Sequence, residues 1–308
     1  MSTARVQTKL MGNLFDFAVV CESQSIGAAQ IEEGINEIKR IETLFTTFSD
    51  TSLTNEVNRM AGITPVEVTD EFFNLVSRAQ KISELTHGYF DLSYGSVDTN
   101  FWNFNQKMDK LPDKHEARKS VALINYRNII LDEKNKTVFL RKKGMRIGFG
   151  GIGKGYAADC ATRVMKESGV ESGIVNASGD LNAWGSQEDG TLWTIGIADP
   201  NLRNTCFSTL NITNKSIATS GNYEKFVRID NQLYSHTINP QTGYPIRGIK
   251  SVTVITSNAE LADAMATPIS IMGVNEGLHF INQINGIECI LVDDANKLYV
   301  SNNINLIA

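Results

Sequence analysis

Hydrophobic residues recur at helical spacing in two segments of the N-terminal third. Residues 68–88 form one such segment, with Asp70 or Thr69 as its N-terminal cap and Gly88 as its end. Residues 27–46 form the other, which predicts an amphipathic helix because charged residues separate its apolar positions. Those positions are Ile31, Ile35, Ile38, Ile41 and Phe45. The stretch between the two segments, "FTTFSDTSLTNEVNRMAG", is polar and rich in turn formers, so it predicts a loop.

Short apolar runs dominate from about residue 120 onward and predict strands. The segment "IILDEKNKTVFLRK" predicts a hairpin that turns at residues 132–136. A helix is predicted from about Lys154 to Glu167. Further strands are predicted at "GIVNAS", "LWTIGIA", "FSTLNI", "KFVRI" and "SVTVITS", with a C-terminal hairpin at "ECILVDDANKLYV". Helices early and strands late favour a mixed α+β fold over a regular βαβ series.

One further helix is predicted over "SNAELADAMATPISIMG". Ser257 and Glu260 have the spacing of a capping box at its start. Pro268 lies inside the pattern and is expected to distort the helix, because proline removes a backbone donor. A separate helix is expected near residues 275–285.

Composition excludes several classes of protein. The chain has 308 residues, of which 42% are hydrophobic and 20% charged, so it can bury a large core and is not expected to be disordered. A formal net charge of −5 argues against a nucleic-acid partner, and the apolar runs are too short to span a membrane. The four cysteines are scattered, which predicts buried free thiols.

The N-terminal region predicts no secretory leader. Its longest apolar run, Phe17 to Cys21, is too short for the core of a signal peptide. As the chain reads, we expect a cytoplasmic protein. A periplasmic protein or a membrane-anchored lipoprotein is the alternative if a leader has been removed.

The glycine-rich segment "RIGFGGIGKGYAAD" fits two nucleotide-binding patterns. Its dinucleotide spacing lacks the acidic residue expected about 20 positions later. Its P-loop spacing ends at Gly155, where a hydroxyl should bind Mg²⁺. Several glycines and Lys154 at the start of a helix still favour a phosphate-bearing ligand. The alternative is that the glycines only allow a tight turn.

Two other segments carry candidate chemistry. In "SHTINPQTGYP", His236 lies in a polar turn suited to proton transfer, or it is a surface histidine that caps the turn. In "ELADAMAT", Asp263 and Thr267 lie four residues apart on one helix face. Two oxygens placed in this way suit Mg²⁺, although a solvated carboxylate beside an ordinary helical threonine has the same pattern.

Aromatic and polar segments complete the set. "GYFDLSYG" and "FWNF" place Asp91 among aromatic residues, which favours either a core or a surface for a flat ligand. "IVNASGDLNAWG" and "SIATSGNYEKF" read as polar loops at strand ends, where ligands often bind.

Taken in order, these segments resemble the FAD:protein FMN transferase family, the ApbE-like flavin transferases. The resemblance runs from about Met11 to Gly273 and includes "TSLTNEVN", "GGIGKGYAAD", "VNASGDL", "ATSGNYEKF", "HTINPQTGYP" and "LADAMAT". It implies an α+β fold of two intertwined lobes with the ligand cleft between them, so that residues 1–308 form a single catalytic unit. It also implies bound FAD, Mg²⁺ at the pyrophosphate, and transfer of FMN to a Thr or Ser hydroxyl of a partner flavoprotein with release of AMP. Such partners include subunits of membrane redox pumps.

The resemblance also implies roles for individual residues. Asp263 and Thr267 would bind Mg²⁺ through side-chain oxygens, and Gly151 through its carbonyl. Lys154 would lie near the phosphates or the adenosine, and His236 would take the proton of the hydroxyl. The remaining contacts to FAD would come from Met11 near the flavin, from Tyr89, Phe90 and Asp91 at the adenine, and from Thr237 at the reacting phosphate.

Four positions depart from the family pattern. Gly148 replaces a frequent acidic residue, Ser178 replaces a glycine, and Asn13 replaces a threonine. Phe48 replaces a tyrosine, which keeps a ring beside FAD but loses a hydroxyl. The balance between transfer and hydrolysis is therefore open, and two alternatives remain. One is an FAD pyrophosphatase that yields FMN and AMP, and the other is a non-catalytic FAD-binding protein.

Overall fold

The computed structural model describes residues 1–98, 111–198, 206–221, 226–229 and 232–304. The helices are α1 (Gln24–Phe45), α2 (Leu53–Arg59), α3 (Asp70–Leu85), α4 (Lys114–Ser120), α5 (Gly153–Glu167) and α6 (Ala259–Ile281). The first seven strands are β1 (Ser2–Leu10), β2 (Asn13–Cys21), β3 (Val66–Glu67), β4 (Ile129–Asp132), β5 (Thr137–Leu140), β6 (Gly173–Ala177) and β7 (Asp180–Trp184). The others are β8 (Trp193–Ala198), β9 (Cys206–Ile212), β10 (Lys215–Gly221), β11 (Phe226–Ile229), β12 (Gln232–Ser235), β13 (Ile249–Thr256), β14 (Glu288–Asp293) and β15 (Leu298–Val300).

An eight-stranded sheet forms the centre of the molecule. Its strand order is β1-β2-β6-β7-β10-β13-β14-β15, and every neighbouring pair is antiparallel. Among the described residues, three smaller sheets accompany it, β3-β5-β4, β8-β9 and β11-β12. Together with the helices, this arrangement confirms the predicted α+β class.

The two faces of the large sheet have different cover because side chains alternate along each strand. In β2, Phe17 and Val19 belong to the core shared with the helices, whereas Ala18 and Val20 pack in the cluster that includes Trp193 of the β8–β9 hairpin. The helices α1, α5 and α6 therefore lie on one face and the hairpin on the other. The candidate site described below lies on the helical face.

The sequence patterns explain the helices that were predicted. In α1, all five predicted apolar positions are buried, and Ser23 caps the first turn. In α3, the N-cap is Thr69, one of the two residues predicted for this position (Thr69 or Asp70). The hairpin β4–β5 turns between Asp132 and Thr137 as predicted.

Several details of the prediction were wrong. The polar stretch after α1 contains the short helix α2, which Ser52 caps through a bond to the N–H of Asn55. The β1–β2 hairpin was not predicted. Asp180 begins β7, and residues 219–221 end β10, so the supposed polar loops are largely strand. The segment "FWNF", residues 101–104, lies outside the described residues.

Helix α6 also differs from the expectation. Its cap is Asn258 and not Ser257: the Asn258 side chain accepts the N–H of Leu261 at 2.8 Å. The Glu260 carboxylate pairs with Arg78 on α3. The backbone stays helical through Pro268, which is buried together with Ala266 and Ile269, and leaves helical geometry only at Gly273 (φ 79°). The helix expected near 275–285 is the continuation of α6 beyond this break.

Three of the four cysteines are buried as predicted, but Cys206 is exposed. It lies at the first position of β9, the second strand of the β8–β9 pair. In the part of the chain that the structure describes, no helix combines the length and the apolar character needed to cross a bilayer.

Candidate active site at the start of helix α5

The first turn of α5 lacks a cap from its own segment. The N-cap residue is Ile152, whose side chain offers no acceptor. The carboxylate of Asp263, on α6, takes that place, because its Oδ2 accepts the N–H of Gly155 at 3.1 Å and it also accepts the N–H of Lys154. The positive end of the α5 dipole and a buried carboxylate therefore meet at one point.

Close approach of the two helices explains why residue 155 is glycine. A Cβ on Gly155 would overlap the carbonyl group of Ala259 and would lie 2.9 Å from the Cβ of Asp263. The Ser or Thr that a P-loop has at this position would collide with the backbone of α6. The departure from the P-loop pattern thus reflects helix packing, which lets the Asp263 carboxylate reach α5.

Lys154 binds a second buried carboxylate. Its Nζ pairs with Oδ2 of Asp180, whose side chain is 3% exposed. Asp180 also accepts the N–H of Thr219, on the neighbouring strand β10. A two-residue turn, Ser178–Gly179, joins β6 to β7 and places Asp180 at the start of β7, facing the helices. Sequence reasoning grouped Asp180 with a polar loop and did not assign it to the site; the signal was an acid directly after this turn.

Two buried carboxyl groups, those of Asp180 and Asp263, lie next to Lys154. Burial raises the pKa of both Asp180 and Asp263, and the charge of Asp263 raises the pKa of Asp180 further, whereas Lys154 lowers both. With both carboxyl groups ionised, they and the Lys154 ammonium carry a formal charge of −1, and burial disfavours this state while no cation is bound. A bound cation would compensate this charge.

The donor set fits a hard cation such as Mg²⁺. Asp263 offers a carboxylate, and Thr267, half-buried one turn later on the same helix face, offers a hydroxyl. Both are oxygen ligands, which Mg²⁺ prefers, and too few to complete its octahedron. Water and phosphate oxygens would supply the other positions.

The glycine-rich loop before α5 leaves room beside this point. A Cβ on Gly150 would meet nothing within 4 Å, and one on Gly151 would lie 3.6 Å from the ring of Phe90. A Cβ on Gly148 would lie 3.7 Å from Thr47. Packing therefore does not require glycine at these three positions, and the open space along the loop suits a ligand.

Two of the predicted FAD contacts, Met11 and Phe48, lie at the edge of the loop. The Met11 methyl group is 3.8 Å from a Cβ built on Gly153, so Met11 reaches the start of α5 from the β1–β2 turn. Phe48 is fully exposed and follows Thr47, the neighbour of Gly148. An aromatic ring wholly in solvent beside an open loop suggests a surface that a ligand covers.

The three residues predicted to contact adenine, Tyr89, Phe90 and Asp91, have different surroundings. The ring of Phe90 faces the glycine loop at Gly151. Tyr89 lies close to Glu276, after the break in α6. The carboxylate of Asp91 accepts hydrogen bonds from both the N–H and the hydroxyl of Ser93 and from the N–H of Tyr126, so it holds its own loop together. A contact from Asp91 to adenine stays a prediction.

The loop that carries His236 follows strand β12. His236 is exposed, whereas Thr237 is buried and donates its N–H to the Ser235 hydroxyl at 3.1 Å. Ile238 donates its N–H to the Tyr94 hydroxyl at 2.9 Å, which ties the loop to the segment after α3. The roles of His236 and Thr237 stay predictions.

The amino-acid sequence is similar to those of one family of known proteins. A sequence model of the ApbE family matches residues 11–291. An FAD:protein FMN transferase from Klebsiella pneumoniae (strain 342) is 30% identical over 266 residues, which are 86% of this chain and 82% of that one. One from Escherichia coli (strain K12) is 27% identical over 253 residues, 80% of this chain and 72% of that one.

A solved structure agrees with the sequence comparisons. The crystal structure of the ApbE protein from Thermotoga maritima has a TM-score of 0.87 and 27% identity, and the match covers 98% of this chain and 97% of that one. The resemblance inferred from the sequence motifs is thereby confirmed. Since the family model spans most of its length, this chain belongs to the ApbE family.

Proposed function

We propose that this chain is a Mg²⁺-dependent FAD:protein FMN transferase. It attaches FMN through a phosphoester to a Thr or Ser hydroxyl of a partner flavoprotein and releases AMP. The observation that carries the proposal is the meeting of Lys154 and Asp263 at the N-terminus of α5, beside an open glycine loop. A diphosphate needs positive charge on both sides, which the lysine, the helix dipole and a cation provide.

Different residues of the chain bind the metal, bind the diphosphate and accept the proton. Asp263 and Thr267, with the Gly151 carbonyl, would hold Mg²⁺, which when bound neutralises charge on the phosphoryl oxygens. Lys154, oriented by Asp180, contacts the diphosphate. His236 accepts the proton of the acceptor hydroxyl as the new O–P bond forms and the P–O–P bond breaks, so that AMP leaves.

The remaining predicted residues orient FAD. Met11 and Phe48 contact the flavin end, because they lie at the outer edge of the glycine loop. Tyr89, Phe90 and Asp91 lie on the adenosine side. Thr237 stands beside the reacting phosphate. Subunits of membrane redox pumps are the class of acceptor to test first.

The experiment incubates the protein with FAD, Mg²⁺ and a flavoprotein that carries an acceptor Thr or Ser. We expect a fluorescent flavin band that survives denaturing gel electrophoresis and one AMP per modified acceptor. The H236A variant should lose the band but keep FAD binding, whereas H115A, which removes an exposed histidine on α4, should keep both. Absence of the band with a proven acceptor would contradict the proposal.

A second candidate function, FAD pyrophosphatase, is favoured by Phe48, which stands where many transferases have a tyrosine hydroxyl. It predicts metal-dependent release of AMP at the same rate with and without an acceptor. A flavin-storage protein is disfavoured, because storage does not require two buried carboxylates at the diphosphate. Its signature would be tight FAD binding without any AMP over several hours.

A further inference from the structure

Helices α5 and α6 each cap the first turn of the other. The Asp159 carboxylate on α5 accepts the N–H of Ala259 at 2.9 Å and that of Glu260 at 2.8 Å, at the start of α6. In return, the Asp263 carboxylate on α6 accepts the N–H of Gly155, at the start of α5.

The same short pattern occurs on both helices. The segments are "GYAAD", residues 155–159, and "AELAD", residues 259–263. Each begins with a small residue and ends with an aspartate one helical turn later, so both residues lie on one face. The small residues allow the two backbones to touch at Gly155 and Ala259, and each aspartate then reaches the other helix.

The oxygens of Asp159 are occupied within the protein. Besides the two N–H groups of α6, its Oδ1 accepts the side-chain amide of Asn182 at 2.8 Å. Asp159 therefore acts on the site through α6. The start of α6 carries Asp263 in its second turn and Thr267 one turn further on, so the placement of that start decides where both oxygen groups point.

We propose that Asp159 is a positioning residue for the metal site. It fixes the register of α6 against α5 so that the Asp263 and Thr267 oxygens face the diphosphate. This inference rests on the proposed function, because that function assigns the metal to Asp263 and Thr267. Removal of residues that orient metal ligands typically weakens metal binding about 10–100-fold.

The test measures metal affinity without turnover. Mn²⁺ is titrated into the protein in the presence of ADP, which supplies a diphosphate but no flavin to transfer, and bound Mn²⁺ is followed by electron paramagnetic resonance. D159N keeps the size of the side chain but puts an amide where α6 needs an acceptor. We expect Mn²⁺ to bind at least about tenfold more weakly to D159N than to the wild type.

A matched control separates positioning from general stability. E260Q weakens the pair between Glu260 and Arg78 (2.7 and 2.9 Å), which holds the same end of α6 to α3. We expect E260Q to lower the melting temperature but to leave Mn²⁺ affinity unchanged. In a D263N background, D159N should cause a smaller further loss of Mn²⁺ binding than in the wild type, since part of its effect passes through Asp263.

The outcomes are distinct. Wild-type Mn²⁺ affinity in folded D159N would overturn this inference and leave the proposed function standing. A wild type that binds no Mn²⁺ with ADP would contradict the proposed metal role, and the inference would fall with it. If D159N does not fold, N182A removes one partner of Asp159 more gently and should weaken Mn²⁺ binding several-fold; unchanged affinity there overturns the inference.

Discussion

The ammonium group of Lys154 is paired with the carboxylate of Asp180, 26 residues further along the chain. The Asp180 side chain is 3% exposed and that of Lys154 is 26% exposed, so the lysine is the accessible half of the pair. Asp180, the first residue of β7, therefore orients the Lys154 ammonium group at the start of α5 before any ligand binds. Such preorganisation is what makes a charge effective in phosphoryl transfer.

Removal of the Lys154 charge should damage both stability and transfer. K154M leaves the buried Asp180 carboxylate without its cation, which we expect to lower the free energy of unfolding by about 2–3 kcal/mol. Transfer should fall at least about 100-fold, because a charge next to the diphosphate is lost. Urea denaturation and the flavin-band assay measure the two effects.

The K154M/D180N double variant separates the two causes. Neutralising Asp180 removes the unpaired charge, so stability should recover in part, whereas transfer should stay low. Full recovery of transfer in the double variant would show that Lys154 serves only to neutralise Asp180.

The contact between α5 and α6 should tolerate no side chain at residue 155. G155A places a methyl group against the Ala259 carbonyl, and we expect a loss of about 3 kcal/mol or more in the free energy of unfolding. G150A is the control, since a Cβ there meets nothing within 4 Å, and it should change stability by less than about 1 kcal/mol. Equal stability of the two variants in chemical denaturation would contradict the described helix contact.

The turn before Asp180 contains a strained residue. Ser178 has φ 57°, a left-handed conformation that costs about 1–2 kcal/mol for most residues other than glycine. Glycine loses more entropy on folding, about 0.5–1 kcal/mol, so S178G should stabilise the protein by a net amount of about 0.5–1 kcal/mol.

A second turn provides the comparison for S178G. Asn214 has φ 49°, in the turn between β9 and β10, and asparagine tolerates this conformation better than serine. N214G should therefore give a smaller gain or none. A loss of stability in S178G, measured by thermal unfolding, would show that the serine side chain contributes a contact worth more than the strain.

Much of the fold followed from periodicity, and the failures have physical causes. The helices α1 and α3 are regular and amphipathic, and local sequence defines both. The helix α2 has only seven residues, so it depends on its Ser52 cap and on packing more than on any periodic pattern. Pro268 did not distort α6 because tertiary packing outweighs the loss of one hydrogen bond.

The site residues were predictable from the sequence only where a local pattern identified them. Asp263, Thr267 and Lys154 carried recognisable local patterns. Asp159 and Asp180 gained their roles from contacts between elements far apart in the chain, such as the bond from Ala259 to Asp159. In the sequence, Gly155 is only a mismatch to the P-loop pattern. The structure shows that residue 155 must be glycine because α6 packs directly against it.

Phe48 should contribute to FAD affinity without contributing to stability. Its ring is fully exposed, so F48A removes no protein packing and should leave the melting temperature unchanged. If the ring stacks on FAD, the dissociation constant should rise about tenfold, in line with roughly 1–1.5 kcal/mol for an aromatic pair. Quenching of flavin fluorescence measures the affinity.

I63A is the matched control for F48A. Ile63 is another exposed apolar side chain, at 68% exposure, but it lies in the turn after α2. FAD affinity should be the same in I63A and in the wild type. An F48A variant that binds FAD as tightly as I63A would remove Phe48 from the site.

The central claim is that Asp263 and Lys154 face one metal-bound diphosphate, and anomalous diffraction tests it most directly. A crystal of the protein grown with ADP and Mn²⁺ would be measured at the manganese absorption edge. The account predicts one strong peak about 2.0–2.3 Å from an Asp263 oxygen, next to the ADP phosphates and on the side of Lys154. A peak elsewhere, or a diphosphate bound away from the start of α5, would contradict the account.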